Sequence, residues 1–444
     1  MATDAASKAL RNGFLGGKLD SAALGTRARP ITIHVASILR YSGAAHEGAA
    51  TISLENTPGA LHWEDVSMGR NNFAEMNRNA RRGVRRDAGM RVASALFLSF
   101  VLIGLPGCGG SISGLPVESG GSPIPPGDPA YQTAVQVKYL GAGGVLIKRG
   151  DDSLLTAPFF SNPSMLRVAF GEIRPLPEQI KRFLGPTGGK ELAGATAVLV
   201  GHAHYDHLMD VPYIKKNYLP LAKIYGSETM KYTLAGDRTL KADEVVSVEK
   251  DAWSVNMPEQ PVKWWPESPA SPRMRFMALK SEHAPVFAGL KFFEGGYHQP
   301  LQALPTSAWG WLEGQTLAYL IDFLGADGKT VEFRIHYQDA ASTPPLGFPP
   351  RFNEPPDQRP VDLAIVCMPG FDQVKDYPKE ILERLKPRFV IIIHWENFFA
   401  LLPDDPRDLR IVPTVDAERF LATLKPAGAS VKLPAPGTWM RYAP

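Results

Sequence analysis

VLVGHAHYDHLMDVP, Val198 to Pro212, is the stretch on which the reading of this chain turns. His202, His204, Asp206 and His207 fall within six positions behind a short apolar run, in a chain with only 10 histidines among 444 residues. Imidazoles and a carboxylate crowded in this way are costly to fold around unless a cation gathers them. Ala197 to Val200 reads as a buried strand ending at Gly201, and LMDVPYIKKNY reads as the start of a helix. The polar residues therefore lie on a tight turn between the two. His202 and His204, two apart in an extended segment, point to the same side and can bind one ion; Asp206 and His207, displaced by the turn, face a neighbouring position. One segment thus feeds two metals. Zinc fits this donor set best, because imidazole and carboxylate are its ligands and no thiolate is needed, and iron or manganese can occupy similar donors.

The rest of the composition narrows the classes. The chain is 44% hydrophobic and 21% charged, enough for a sizeable core. A formal net charge of +3 sets up no strong field for nucleic acid or an acidic partner. Two cysteines, Cys108 and Cys367, exclude a disulfide framework and a thiolate metal cage. Cys367, in LAIVCMPG, reads as a buried small hydrophobe.

On either side of the histidine turn the chain is rich in strands. TAVQVKYLG alternates apolar and polar residues, and GGVLIKRGDDSLLTAPFF places two apolar runs around Arg149–Asp152, a hairpin signal. A second β-rich half starts at MRFMALKSEHAPVF and continues through TLAYLIDFLGADGKTVEFRIHYQD and VDLAIVCMPGF. It closes with a helix, YPKEILERLKP, and a strand, RFVIIIHWENFF. Two β-rich halves with helices outside them predict an α/β fold, a four-layer αββα sandwich forming one domain over 131–444.

Upstream, MRVASALFLSFVLIGLPGCGGS reads as an export signal over 90–107, with Arg85, Arg86 and Arg91 ahead of an apolar run too short to span a bilayer. It closes on Leu105-Pro106-Gly107-Cys108, which resembles the lipobox of bacterial lipoproteins and makes Cys108 the lipidation site. The Gly/Ser/Pro-rich residues 108–130 read as a flexible tether. Residues 1–89 show no convincing periodic segment and read as a disordered leader, or as an artefact if translation starts at Met76 or Met90. The expectation is an exported, membrane-anchored cell-envelope lipoprotein, cytoplasmic if the signal is not used.

The HxHxDH pattern resembles the signature of the metallo-β-lactamase superfamily, and the likeness runs from about Val135 to Trp395. The resemblance implies three further ligands from later strand ends. His283 in KSEHAPVF would complete the first ion's set, Asp339 in RIHYQDAAS would bridge both ions, and His394 in VIIIHWENF would complete the second's. Asp206 and Asp339 would be the catalytic carboxylates, orienting a water as they bind metal. One departure stands out: Ala157, in LLTAPFF, takes a position where the family commonly has an aspartate supporting a ligand, with Thr156 or Asp210 as substitutes. The pattern looks closest to the ascorbate-6-phosphate lactonase-like branch and to the phospholipase D acting on N-acyl-phosphatidylethanolamine, whose motif also carries a tyrosine where Tyr205 stands. That implies a hydrolase acting on a phosphodiester, a phospholipid-like ester or a lactone.

His336, inside a strand pattern, reads as a packing or surface histidine, and His298 as a loop histidine. Trp264, Trp265, Trp309, Trp311, Phe398 and Phe399 either pack insertions onto the sandwich or line an apolar groove for an acyl chain. The alternatives are an iron-dependent redox enzyme on the same fold and a non-catalytic binding lipoprotein. The complete ligand set argues against the second. No nucleic-acid partner is expected, and the sequence leaves the oligomeric state open.

Overall fold

The computed structural model describes the backbone of residues 31–41 and 44–54, and residues 115–444 apart from 186–187, 267–272, 287–288, 414 and 426–427. The chain divides into two units, Met1–Arg85 and Arg86–Pro444. In the first, β1 (Ile31–Tyr41) pairs antiparallel with β2 (Ala44–Leu54), Ile31 opposite Leu54 and Tyr41 opposite Ala44. These strands lie within 1–89, the stretch in which the sequence shows no convincing periodic segment. Ile31, Ile33 and Val35 alternate with polar or small residues and Ser42-Gly43 separates the runs, a hairpin signal masked by its Arg- and Gly-rich surroundings.

The export signal over 90–107, Cys108 and residues up to 114 lie outside the described residues. From Leu115 the chain is built into the second unit rather than forming the far part of a 108–130 tether. β3 (Val117–Glu118) pairs in parallel with Leu433 and Pro434, and Lys432 reaches Glu118 at 2.8 Å. Ile124 packs with Tyr131 and Ala134. A few apolar residues suffice to anchor a segment that its Gly/Ser/Pro composition marks as loose.

The first half supplies β4 (Val135–Gly141), β5 (Gly144–Arg149) and β6 (Asp152–Thr156), then helices α1 (Met165–Phe170), α2 (Pro177–Leu184) and α3 (Gly188–Leu192). β7 (Ala195–Leu199), α4 (Tyr205–Leu208), α5 (Val211–Tyr218), β8 (Lys223–Gly226), α6 (Glu228–Leu234) and β9 (Val245–Ser247) follow. The second half has β10 (Met274–Lys280), β11 (Leu317–Leu324), β12 (Val331–Gln338) and β13 (Leu363–Cys367). It ends with α7 (Lys379–Leu385), β14 (Phe389–Ile393), α8 (Ala417–Leu424), β15 (Ser430–Pro434) and β16 (Trp439–Tyr442).

These strands form two seven-stranded sheets, ordered β16-β4-β5-β6-β7-β8-β9 and β10-β11-β12-β13-β14-β15-β3. The alternation of the sequence sorts the side chains. Val135, Val137, Tyr139 and Ile147 join Ile321, Phe333 and Ile365 in the core between the sheets. Their neighbours Leu146, Leu155, Val198 and Val200 face the other way, onto Ile180 and Leu184 of α2 and Ile214 of α5. In the second sheet β13 is buried throughout and β14 from Val390 onward, as parallel strands covered on both faces must be, and Ile381, Leu382, Phe420 and Leu424 of α7 and α8 pack with them. The result is the expected helix–sheet–sheet–helix sandwich.

All the motif-bearing turns leave the C-terminal ends of strands: His202–His207 follows β7, His283 follows β10, Asp339 follows β12 and His394 follows β14. The two sheets are stitched together here. The Leu317 N–H donates to the Gly201 carbonyl at 2.7 Å; within the second sheet's own loops, the Ala284 N–H donates to the Ala341 carbonyl at 2.8 Å.

Candidate metal centre

His204 is the extended residue that caps α4, so His202 and His204 precede the helical turn and Asp206 and His207 lie within it. That single turn changes the direction in which the side chains leave the backbone. Potential ligand atoms of His202, His204 and His283 lie within 4.8 Å of one another, and so do those of His202, Asp206 and His207. Asp339 sits against both groups, its Oδ1 3.2 Å from His202 Nδ1 and its Oδ2 3.2 Å from His207 Nδ1. His394 joins through its Nε2, 3.3 Å from Asp206 Oδ2. All seven residues singled out in the sequence therefore meet, although His202 and His394 stand 192 positions apart.

The donor set fits divalent cations. His202 Nε2, His204 Nε2, His207 Nδ1 and His394 Nδ1 are buried and make no hydrogen bond; His207 Nδ1 is near Asp339 but off-axis. Buried polar atoms are nearly always paired, so open imidazole nitrogens gathered in one cluster fit a cation, although at His394 it is the other nitrogen, Nε2, that faces Asp206. At His283 the partner is a carbonyl: Nδ1 lies 2.7 Å from the Ala284 oxygen, which can only accept, so Nε2 is the bare nitrogen.

The electrostatics agree. Burial, reinforced by His207, lowers the His202 imidazole to about 3, and burial holds His204 well below its usual value and lowers His283. All three are neutral, the form that binds metal. Burial pushes both carboxyls up, but the surrounding imidazoles outweigh it. His207 and His394 hold Asp206 well below the carboxylate range, and His207 and His202 do the same for Asp339. His207 is raised, because Asp206 and Asp339 together overcome its burial.

Sequence reasoning missed the residues that make room. A Cβ on Gly201 would lie 2.1 Å from Asp339 Oδ1, and one on Gly143 would lie 2.6 Å from His207 Nδ1. Tyr337 Oη lies 2.6 Å from the Gly143 carbonyl and 3.1 Å from Asp339 Oδ2, and can give its proton to either. Glu396 and Tyr139, both buried, border His394. A carboxylate three residues past the end of an apolar strand was the one visible hint.

Among the described hydrogen bonds, neither proposed substitute at the Ala157 position reaches an imidazole. Thr156 Oγ1 donates to the Gly143 carbonyl at 2.5 Å and accepts from the Val145 N–H at 2.9 Å. Asp210, fully buried, accepts from the N–H groups of Phe160 and Ser161 and from the Ser161 hydroxyl. Burial pushes its carboxyl up to about 6 in spite of those donors. The folded protein therefore keeps this proton up to about pH 6, whereas an unfolded chain releases it near pH 4. Its contribution to stability is complete below about pH 4 and is lost as pH rises through about 6. Asp210→Asn should flatten this slope in denaturant titrations of metal-free protein between those limits, and cost about 1–3 kcal/mol for a donor left unpaired. Parallel pH profiles for the two proteins would contradict the account.

The cluster forms the floor of a cavity of about 120 Å³. Its walls are apolar, with Met165, Phe292, Phe293, Phe398, Phe399 and Val412 prominent, and no Lys or Arg is among the described lining residues. The aromatic set thus divides. Phe398 and Phe399 line the cavity, while Trp309 donates to the Ala169 carbonyl at 3.0 Å behind Phe293 and Trp311 is buried. Trp264 stacks on Phe352, and Trp265 packs beside Tyr225. His336 is a core histidine bonded to the Gly347 carbonyl at 2.8 Å, and His298 is on an exposed loop. Cys367 is buried, as its apolar context predicts, and also borders the cavity. No described helix is long and apolar enough to cross a membrane.

No protein-family model matches the chain, and no curated protein does. Several solved structures do. A metallo hydrolase, Igni18, from Ignicoccus hospitalis is 14% identical over 70% of this chain and 99% of its own, with a TM-score of 0.39. The metallo-β-lactamase fold protein YhfI from Bacillus subtilis is 14% identical, covering 70% and 100% of the two chains, with a TM-score of 0.36. CmlA, a diiron β-hydroxylase from Streptomyces venezuelae, is 12% identical over 70% of this chain and 54% of its own, with a TM-score of 0.38.

Proposed function

We propose that the chain is a metal-dependent hydrolase of the metallo-β-lactamase type that holds two divalent ions, zinc by preference, at the cavity floor. The observation that carries this reading is the set of unpaired buried imidazole nitrogens gathered around two ionised carboxylates. His202, His204 and His283 would hold one ion, Asp206, His207 and His394 the other, with Asp339 between them. When bound, such a pair supplies Lewis-acid polarisation of the scissile group and activation of water at neutral pH.

The chain's own residues do the rest. Asp206 and Asp339 stay ionised and offer acceptor oxygens that orient a water at the floor. The apolar walls exclude bulk solvent, which strengthens every charge interaction within. A wall without Lys or Arg favours a substrate with an apolar body, so a phospholipid-like ester or a lactone suits it better than a sugar phosphate. Tyr205 within HxHYDH supports the branch that includes the phospholipase D acting on N-acyl-phosphatidylethanolamine. Cys108 would anchor the exported protein to a membrane.

The test is a screen of phosphodiesters, phospholipids, lactones and β-lactams on zinc-loaded protein, before and after chelation. Activity should vanish with the metal and return on adding zinc, and each methylene added to an acyl group should raise kcat/KM by up to about fourfold, following ~0.8 kcal/mol per buried CH2. Purified protein that carries iron and turns over only with oxygen would instead establish the redox alternative.

A further inference from the structure

We infer that Glu396 and Tyr139 are positioning residues that fix the second ion's ligands and leave the first ion's untouched; this rests on the two-ion reading above. Glu396 is 1% exposed and has no cationic partner among the described ion pairs, an unusual state for a carboxylate. Its Oε2 accepts from the Tyr139 hydroxyl at 2.5 Å and its Oε1 from the Ala142 N–H at 2.6 Å. Tyr139 Oη in turn accepts the backbone N–H of His394 at 2.9 Å. One buried chain of hydrogen bonds therefore runs from His394, after β14 in one sheet, to Tyr139 on β4 in the other, and on through Glu396 to Ala142.

Both ends of this chain are conformationally demanding. His394 has φ +60° and Ala142 has φ +46°, left-handed values that non-glycine residues adopt only where surrounding contacts enforce them. His394 is one proposed ligand of the second ion. Ala142 precedes Gly143, whose missing side chain makes room for the ring of His207, another. The two imidazoles stand 5.1 Å apart, centroid to centroid. Glu396 thus holds in register two loops from opposite sheets, each of which places or accommodates one of these histidines. Among the described residues, no hydrogen bond from Tyr139 or Glu396 reaches His202, His204 or His283.

The experiment is zinc titration of the metal-free full chain, wild type against Tyr139→Phe and Glu396→Gln, with a competing chelator and circular dichroism to verify folding. Wild type should bind two equivalents. Each variant should bind the first with unchanged affinity and the second about 10–100-fold more weakly, the usual cost of losing a group that orients a ligand. Substitution with cobalt should show the same split as loss of one visible absorption component. Asp322→Asn, which disturbs the buried pair with Arg334 and Arg275, should keep both affinities whatever it does to stability. Two unchanged affinities in Tyr139→Phe, whose shape is that of the native residue, would overturn the inference alone, as would equal loss of the second ion in Asp322→Asn. A wild-type protein that takes up fewer than two equivalents would overturn this inference together with the two-ion reading.

Discussion

Asp206→Ala is expected to abolish hydrolysis and to lower the zinc content of the protein. Asp206 is buried, held ionised by His207 and His394, and contacts His394 at 3.3 Å and His207 at 3.6 Å. Its removal takes away a ligand and leaves those imidazoles without their carboxylate. Loss of one preorganised electrostatic group typically costs about 10²–10³ in rate; a ligand whose loss also displaces an ion should cost more, beyond ~10³ in kcat/KM. His204→Ala should act in the same direction, since it removes one of three mutually close imidazoles. Turnover and metal content are read together: normal turnover in either variant, with the metal retained, would refute the assignment of this cluster as the active centre.

Gly201→Ala, a change of one methyl group, should be nearly as damaging. The added carbon would stand 2.1 Å from Oδ1 and 2.4 Å from Cγ of Asp339, inside the contact distance of any real pair of atoms. Neither side can retreat easily. The Gly201 carbonyl is bonded to the Leu317 N–H at 2.7 Å, and Asp339 is packed between His202, His207 and Tyr337. Overpacking of this kind costs about 1–3 kcal/mol, which lowers Tm by roughly 2–4 °C per kcal/mol in a domain of 150–250 residues and by less in a larger one. The larger effect should be on the centre itself, with zinc affinity reduced well beyond what the loss of stability would give. A crystal structure of the variant with Asp339 undisplaced, or wild-type zinc binding, would show that the close approach is not needed.

The sandwich was legible because its strands carry their periods openly. LAIVC and FVIII are continuous apolar runs of the kind that parallel strands need when both faces are covered, and QVKYLG alternates as a strand with two different faces does. Elsewhere composition misled. Leu115, Val117 and Ile124 sit among so many Gly, Ser and Pro residues that the segment looks like a tether, yet pairing with β15 and burial of Ile124 hold it in place. The supposed aromatic groove divided for a similar reason: whether a ring lines a cavity or packs behind one depends on which loop lies over it. That information is absent from residue type.

By itself the sequence determined the donor types and their local spacing. Four ligand-type side chains in six positions behind a strand can hardly be placed together without a cation, and each remaining member of the cluster stands just beyond an apolar strand. Tertiary structure alone decided what surrounds them: the two glycines that leave space for Asp339 and His207, the Tyr139–Glu396 link from one sheet to the other, and the uncharged walls of the cavity. The physical reason is range. Donor type and local spacing are properties of a short segment, whereas a missing Cβ or a buried acceptor acquires meaning only when residues far apart in the chain come within a few ångströms.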